Sequence, residues 1–302
     1  MTRSNVWRRF ALAAQALSQG FYTYCRAPNN TLFHVWHIRQ YRVIGPVPGS
    51  ALASKERMPK RNSKTKPRRD LEGNPVTNRI LCSISDEEFR GLRPELEFLE
   101  LPHHRSLHEP AKNMKAAYFL NNGLASLIVA TEQGKSVEVG VVGCEGLTGM
   151  ALAAGLHRTT AQVLVQIAGS GFRVKRSAFE KAIKGSPGLR DRVLRYSIAN
   201  AMQIGQTAAC NRLHDAKQRL ARWLLISRDR ISSDIVRLTH DFLAIMLGTD
   251  RPTVTLAAEA LRHAGAIKYG RRSLTIIDRK LLERASCECY FAVRQFNSAV
   301  GL

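Results

Sequence analysis

The 302-residue sequence predicts an α+β chain, with an antiparallel β-roll, one long helix and a C-terminal winged helix-turn-helix, in that order. Three observations predict it. Between residues 97 and 174, short apolar runs alternate with turn residues and no helical period intervenes, which favours antiparallel strands over a parallel sheet. A helical period then runs from Pro187 to about Leu213. Finally, Leu238 to Asp278 places Ala244, Gly248 and Val254 at the spacing of two crossing helices joined by a tight turn.

Charge and composition limit the partners. The formal net charge is +22, which favours a polyanion such as nucleic acid. Residues 1–77 hold 14 Lys and Arg against 3 Asp and Glu, so half of the excess lies in the first quarter. That quarter is also rich in Pro, Gly and Ser over residues 45–75, and it is expected to be a basic, unstructured extension. The six cysteines are scattered without a CxxC pair, which suits a reducing cytoplasm better than a disulfide framework. No apolar run is long enough to span a membrane, so no membrane partner is expected.

The folded part is expected to begin at Asn78, and residues 78–188 form the roll. Ser85 and Glu88 make a capping box for a short helix ending before Pro94. Strands are expected over Glu97–Leu101, Ala117–Leu120, Leu124–Ala130, Ser136–Val142, Gln162–Ile167 and Gly171–Val174. Asn121-Asn122-Gly123 and Glu132-Gln133-Gly134-Lys135 mark turns between them. A second capping box, Ser177 with Glu180, would open the helix that closes the roll.

Residues 189–214 form the long helix. Leu194, Ile198, Ala201, Gly205 and Ala208 recur at spacings of three and four as a narrow stripe of small and apolar residues. Such a stripe lets two helices approach closely, which predicts a homodimer; packing against the roll is the other reading. Asp215 with Gln218 caps the next helix, which turns Leu220, Trp223 and Leu224 toward the following domain.

Residues 215–285 form the winged helix, and 286–302 a tail. Thr239 caps the first helix of the pair, whose apolar face is Phe242, Leu243, Ile245, Met246 and Leu247. Val254 and Leu261 face the core from the second helix. Ile267–Tyr269 and Ser273–Ile277 flank Gly270-Arg271-Arg272 as a basic hairpin. The partner these features suit is double-stranded DNA.

This succession resembles the Crp/Fnr family of bacterial transcription regulators over roughly residues 78–296. Val137–Gly149, Gln206–Leu213 and Ala285–Tyr290 carry the resemblance beside the helix-turn-helix. It implies a cyclic-nucleotide-binding-like roll, a cytoplasmic homodimer on palindromic DNA, and contact with RNA polymerase. The family's three base readers, Arg, Glu and Arg, fall on Arg251, Pro252 and Leu256, so two of the three are changed. Arg251 can bond a guanine bidentately, while Thr253 and Thr255 suit a phosphate or a thymine methyl. Thr239, His240, Lys268, Arg271 and Arg272 suit phosphates.

For an effector, the resemblance points to Gly143, Glu145, Gly146 and Gly149 with Arg158 and Thr159, around a cyclic nucleotide. The family's ribose-binding Glu, however, falls near Met150, so a retained scaffold with another ligand or none is the preferred reading. No cofactor and no metal is assigned. The alternative function is a β-roll metal-binding protein or metalloenzyme using His103, His104, His108 and Glu109. No nucleophile–base pattern at catalytic spacing accompanies it, so an enzyme is not expected.

Overall fold

The computed structural model describes residues 67–270, 273–299 and 301. Most of the basic extension therefore lies outside the described residues, but its last eleven residues do not. Arg68 donates to the carbonyl of Ile84 at 2.7 Å and pairs with Asp86, and Val76 is buried in the core. The fold thus starts before Asn78, the expected boundary.

Asn78 is a buried hub. Its side chain accepts from the Leu81 amide, capping α1 (Arg79–Ser83), and donates to the Leu120 and Gly146 carbonyls at 2.8 and 2.7 Å. Helix α2 (Asp86–Leu92) has the expected Ser85–Glu88 capping box, and a 3₁₀ turn follows at Arg93–Glu95.

Eight strands then form two four-stranded antiparallel sheets. They are β1 (Glu97–Leu101), β2 (Ser106–His108), β3 (Ala116–Leu120), β4 (Leu124–Ala130), β5 (Ser136–Val142), β6 (Leu147–Thr148), β7 (Gln162–Ile167) and β8 (Gly169–Lys175). One sheet runs β1-β8-β3-β6 and the other β2-β7-β4-β5, and their apolar faces enclose one core. The six expected strands are present, two of them longer than expected. The expected cap at Ser177 is not formed. Helix α3 (Arg176–Gly185) starts directly from β8, and the Arg176 amide donates to the Lys115 carbonyl, so the strand ladder does the work of a cap.

Helix α4 (Pro187–Leu213) carries two stripes. Leu189, Val193, Tyr196, Asn200, Gln203, Thr207 and Cys210 are buried at alternating spacings of four and three. Leu194, Ile198, Ala201, Gly205 and Ala208 are all exposed, so this stripe does not pack on the roll. Met202, 56% exposed, adds to it. The buried stripe presses hard on the roll. A Cβ at Gly146 would lie 1.9 Å from the Tyr196 ring, so only glycine fits there.

The rest of the chain is α5 (Ala216–Ile231), β9 (Ile235–Arg237), α6 (His240–Leu247), α7 (Arg251–His263), β10 (Ile267–Gly270), β11 (Ser273–Ile276), α8 (Arg279–Ala285) and α9 (Glu288–Ala299). Asp215 and Gln218 form the expected capping box of α5. The wing is a three-stranded sheet, β10-β11-β9, whose third strand the sequence did not suggest.

Roll and winged helix share a core. Leu124, Ile128 and Val141 of the roll lie in one apolar cluster with Leu220, Trp223, Leu243 and Val254. A polar seam crosses it. The Trp223 indole donates to Glu138 Oε1 at 2.9 Å, and the Ser126 hydroxyl to Glu138 Oε2 at 2.6 Å. Burial pushes the Glu138 carboxyl up to about 7, against the pull of those bonds and of Arg222 and Arg230. Seven residues on, buried Glu145 pairs with Arg230 at 2.7 Å.

Gly146→Ala is expected to cost about 3 kcal/mol or more through overpacking against Tyr196. Urea unfolding measures it, and an unchanged midpoint would show that α4 does not press on this turn. Glu138 gives a pH prediction. Its folded pKa is raised, so its contribution to stability is complete below the ordinary Glu range and is lost as pH rises through about 7. Glu138→Gln should therefore gain on the order of 3 kcal/mol relative to wild type between pH 4 and 8. Parallel unfolding curves across that range, with a constant gap, would contradict it.

Candidate nucleic-acid interface

Helix α6 begins at the Thr239 cap, whose hydroxyl accepts from the Phe242 amide, and buries Leu243, Ala244, Met246 and Leu247. Ile245, expected on the apolar face, is exposed instead. Gly248 ends the helix with φ +59°, and its amide bonds the carbonyl of Ile245 at 3.2 Å. This left-handed cap turns the chain into α7. Asp250, which the sequence reading did not single out, caps α7 by accepting from the Thr253 amide at 2.8 Å, and that bond holds its carboxyl below the usual range.

Val254, Ala257, Ala258 and Leu261 fix the inner face of α7. The outer face carries Arg251, Pro252, Thr255 and Leu256, all exposed. Arg251 sits in the first turn with its guanidinium 3.3 Å from the Asp241 carboxylate, and both side chains are solvent-accessible. Its fork is therefore lightly held and can exchange partners. Leu256, 73% exposed, presents an apolar side chain one turn further along. Thr255 is engaged locally, donating to the Arg251 carbonyl at 3.0 Å and lying 3.1 Å from His240 Nδ1. Thr253 is half-buried in the cap. Of the residues expected to touch DNA, the structure thus groups Arg251, Leu256, Thr255 and His240 on one surface. Lys268 is exposed on β10, opposite Thr275. Arg271 and Arg272 lie outside the described residues.

The expected effector residues do not share one set of partners. Glu145 faces α5, bonded to Arg230 and to the Gly143 amide at 3.1 Å. Gly143 and Gly146 are needed because Arg230 and Tyr196 occupy the space a Cβ would take. Gly149 has φ +80° and lies against the Ala116 carbonyl. Arg158 is exposed and donates to Asn113 at 3.3 Å, while Thr159 caps its own turn at the Ala161 amide. The cavity beside Glu145, Tyr196, Gln203 and Arg230 has a volume of about 10 Å³, which suits a water molecule and not a nucleotide.

The structure does not gather the residues of the alternative metal site on the roll. The His103 and His104 rings meet edge to face and each lies 6.0 Å from the Phe242 ring, so they pack roll against α6. His108 is buried, its Nε2 3.0 Å from the Thr148 hydroxyl, and burial pushes it down to about 4. Glu109 pairs with Lys112. Among the described residues, these four do not bring three ligand atoms together.

Comparisons with known proteins agree with this geometry. Residues 218–285 match the model of the Crp-like helix-turn-helix domain. Comparison with curated proteins gives no match. Among solved structures, the chain is similar to FixK2 from Bradyrhizobium japonicum (TM-score 0.56, 16% identity, 64% of this chain and 98% of that one). It is similar to a Crp/Fnr-family regulator from Eubacterium rectale (TM-score 0.54, 13% identity, 68% and 97%). It is also similar to the c-di-GMP-responsive regulator CLP of Xanthomonas campestris (TM-score 0.54, 12% identity, 64% and 100%). The chain therefore carries a Crp-like helix-turn-helix domain within the fold of Crp/Fnr regulators. No helix among the described residues is long and apolar enough to cross a membrane.

Proposed function

We propose that this protein is a sequence-specific DNA-binding transcription regulator of Crp/Fnr type, acting as a homodimer on an approximately palindromic site. The observation that carries the proposal is the outer face of α7, where Arg251, held only by its solvent-accessible pair with Asp241, and Leu256 face outward from a helix whose other face is fixed in the core. An α-helix so presented fits the major groove. Arg251 would release Asp241 to bond a guanine, Leu256 would meet a thymine methyl, and Lys268, with Thr239, Arg271 and Arg272, would hold phosphates. The exposed stripe on α4 would pair two chains and set their recognition helices roughly 34 Å apart, one turn of DNA. The role implies contact with RNA polymerase and no catalytic step. The roll is proposed as a sensing scaffold for which a cyclic nucleotide finds no room beside Glu145.

Genome-wide selection of bound DNA tests the proposal, and failure to enrich any palindrome would overturn it. On the selected site, Arg251→Ala should lose about 1–3 kcal/mol and relax preference at a single base position. Lys268→Ala should weaken binding to all sequences alike and lower the salt slope by about 1. Equal losses on specific and scrambled DNA for both variants would remove the division of roles. Ile198→Glu places a charge in the centre of the α4 stripe and should give a monomer in sedimentation, with its circular dichroism unchanged. A wild-type chain that sediments as a monomer would sink the dimer.

A further inference from the structure

Four soft ligands meet where the end of α4 reaches the start of α9. Cys210 lies in the last turn of α4, and His214, one turn on, is the C-cap of that helix. Cys287 and Cys289 flank Glu288 at the beginning of α9. The sulfurs of Cys210 and Cys287 are 3.5 Å apart, and Cys289 Sγ is 3.5 Å from His214 Nδ1. All four ligand atoms lie within 4.8 Å of one another. A tetrahedral zinc ion, with thiolate bonds near 2.3 Å and an imidazole bond near 2.0 Å, holds its ligands about 3.5–3.8 Å apart.

The surroundings fit the same reading. All three cysteines are buried. His214 Nε2 lies 3.1 Å from the Glu288 carboxylate, which favours the proton on that nitrogen and leaves the Nδ1 lone pair facing the sulfurs. Gln206 Nε2 donates to Cys289 Sγ at 3.0 Å, as a neighbour of a thiolate would. Buried Arg222 donates to the Thr207 hydroxyl at 2.6 Å, one turn before Cys210 on α4, and so places a positive charge beside the cluster.

We propose that Cys210, His214, Cys287 and Cys289 form a mononuclear tetrahedral site for a thiophilic divalent cation, zinc in the cell. Three sulfurs and one nitrogen select zinc over magnesium or calcium, and the tight spacing fits one ion. On binding, each thiol passes its proton to solvent, and no electron is transferred. The ion would clamp α9 to the end of α4 at the joint where α4 hands over to α5.

The test uses the full chain purified under reducing conditions without chelator. Close to one zinc per chain by plasma mass spectrometry is expected. After chelation, Co²⁺ should give thiolate-to-cobalt charge-transfer bands and the d–d bands of a tetrahedral ion. Cys289→Ser and His214→Ala should lower zinc affinity more than about 10-fold, and Glu288→Gln by about 10-fold through loss of the imidazole's orientation. Cys144→Ser, outside the cluster, should leave it unchanged. A folded wild-type chain that takes up no Co²⁺ overturns the proposal. So does a Cys210–Cys287 disulfide in the reduced preparation, an iron–sulfur chromophore, or full zinc content in Cys289→Ser. None of these readouts involves DNA, so they stand apart from the regulator proposal.

Discussion

The placement of the helix-turn-helix depends on two carboxylates along one edge of the roll. Glu138 and Glu145 are seven residues apart, and they meet Trp223 and Arg230, also seven apart, on α5. A buried ion pair adds little net stability compared with a well-packed apolar one, but losing one partner leaves a charge stranded, at about 3–5 kcal/mol. The seam therefore acts on register more than on stability. Sliding α5 by one turn would take Glu145 from its guanidinium and Glu138 from its indole together. Because α6 and α7 are built on α5, their position is inherited from this seam.

Contacts around the seam make the docking steeper. Val137, next to Glu138 on β5, fills the space beside the Gly248 turn, where a Cβ would come within 2.8 Å of it. His103 and His104 lie against Phe242 on α6. The turn of the helix-turn-helix thus rests on the roll, while the outer face of α7 points away. Packed interfaces of this kind change between discrete arrangements and do not deform smoothly. Any repositioning of α7 has to trade this set of contacts for another complete set.

How much the sequence shows depends on the distance over which each feature is specified. The helix-turn-helix is legible because Thr239, Ala244, Gly248 and Val254 act within sixteen residues through caps and turn geometry. The six longer strands are legible from their alternation and turn residues. Strands β2, β6 and β9 have two or three residues each, too few to show a period, and they exist only through their partners. Ser177 looked like a cap because its local pattern is right, but a neighbouring strand supplies the bond first. Glu145 read as a ligand for an effector because Arg230, 85 residues away, is invisible from its neighbourhood. The thiol cluster hides for the same reason: Cys210 and Cys287 are 77 residues apart, and neither spacing, C-x₃-H or C-x-C, is distinctive alone.

The joint between α4 and α5 gathers these long-range terms. His214 leaves the helical region at φ −114°, ψ 152°, and Asp215 caps the next helix from an extended conformation, so no helical hydrogen bonds carry α4 into α5. Two residues of backbone cannot fix the angle between helices of 27 and 16 residues. Side chains do so from opposite sides: the Glu138 and Glu145 seam holds α5 to the roll, and the Cys210, His214, Cys287 and Cys289 cluster ties α9 to the end of α4. Tyr290, beside that cluster, donates to Asp229 on α5 at 2.7 Å and accepts from Arg279 at 2.5 Å, closing a path from α9 back to α5. The exposed stripe on α4 and the exposed outer face of α7 are therefore kept in fixed relation by polar contacts at a hinge, not by continuity of the helix.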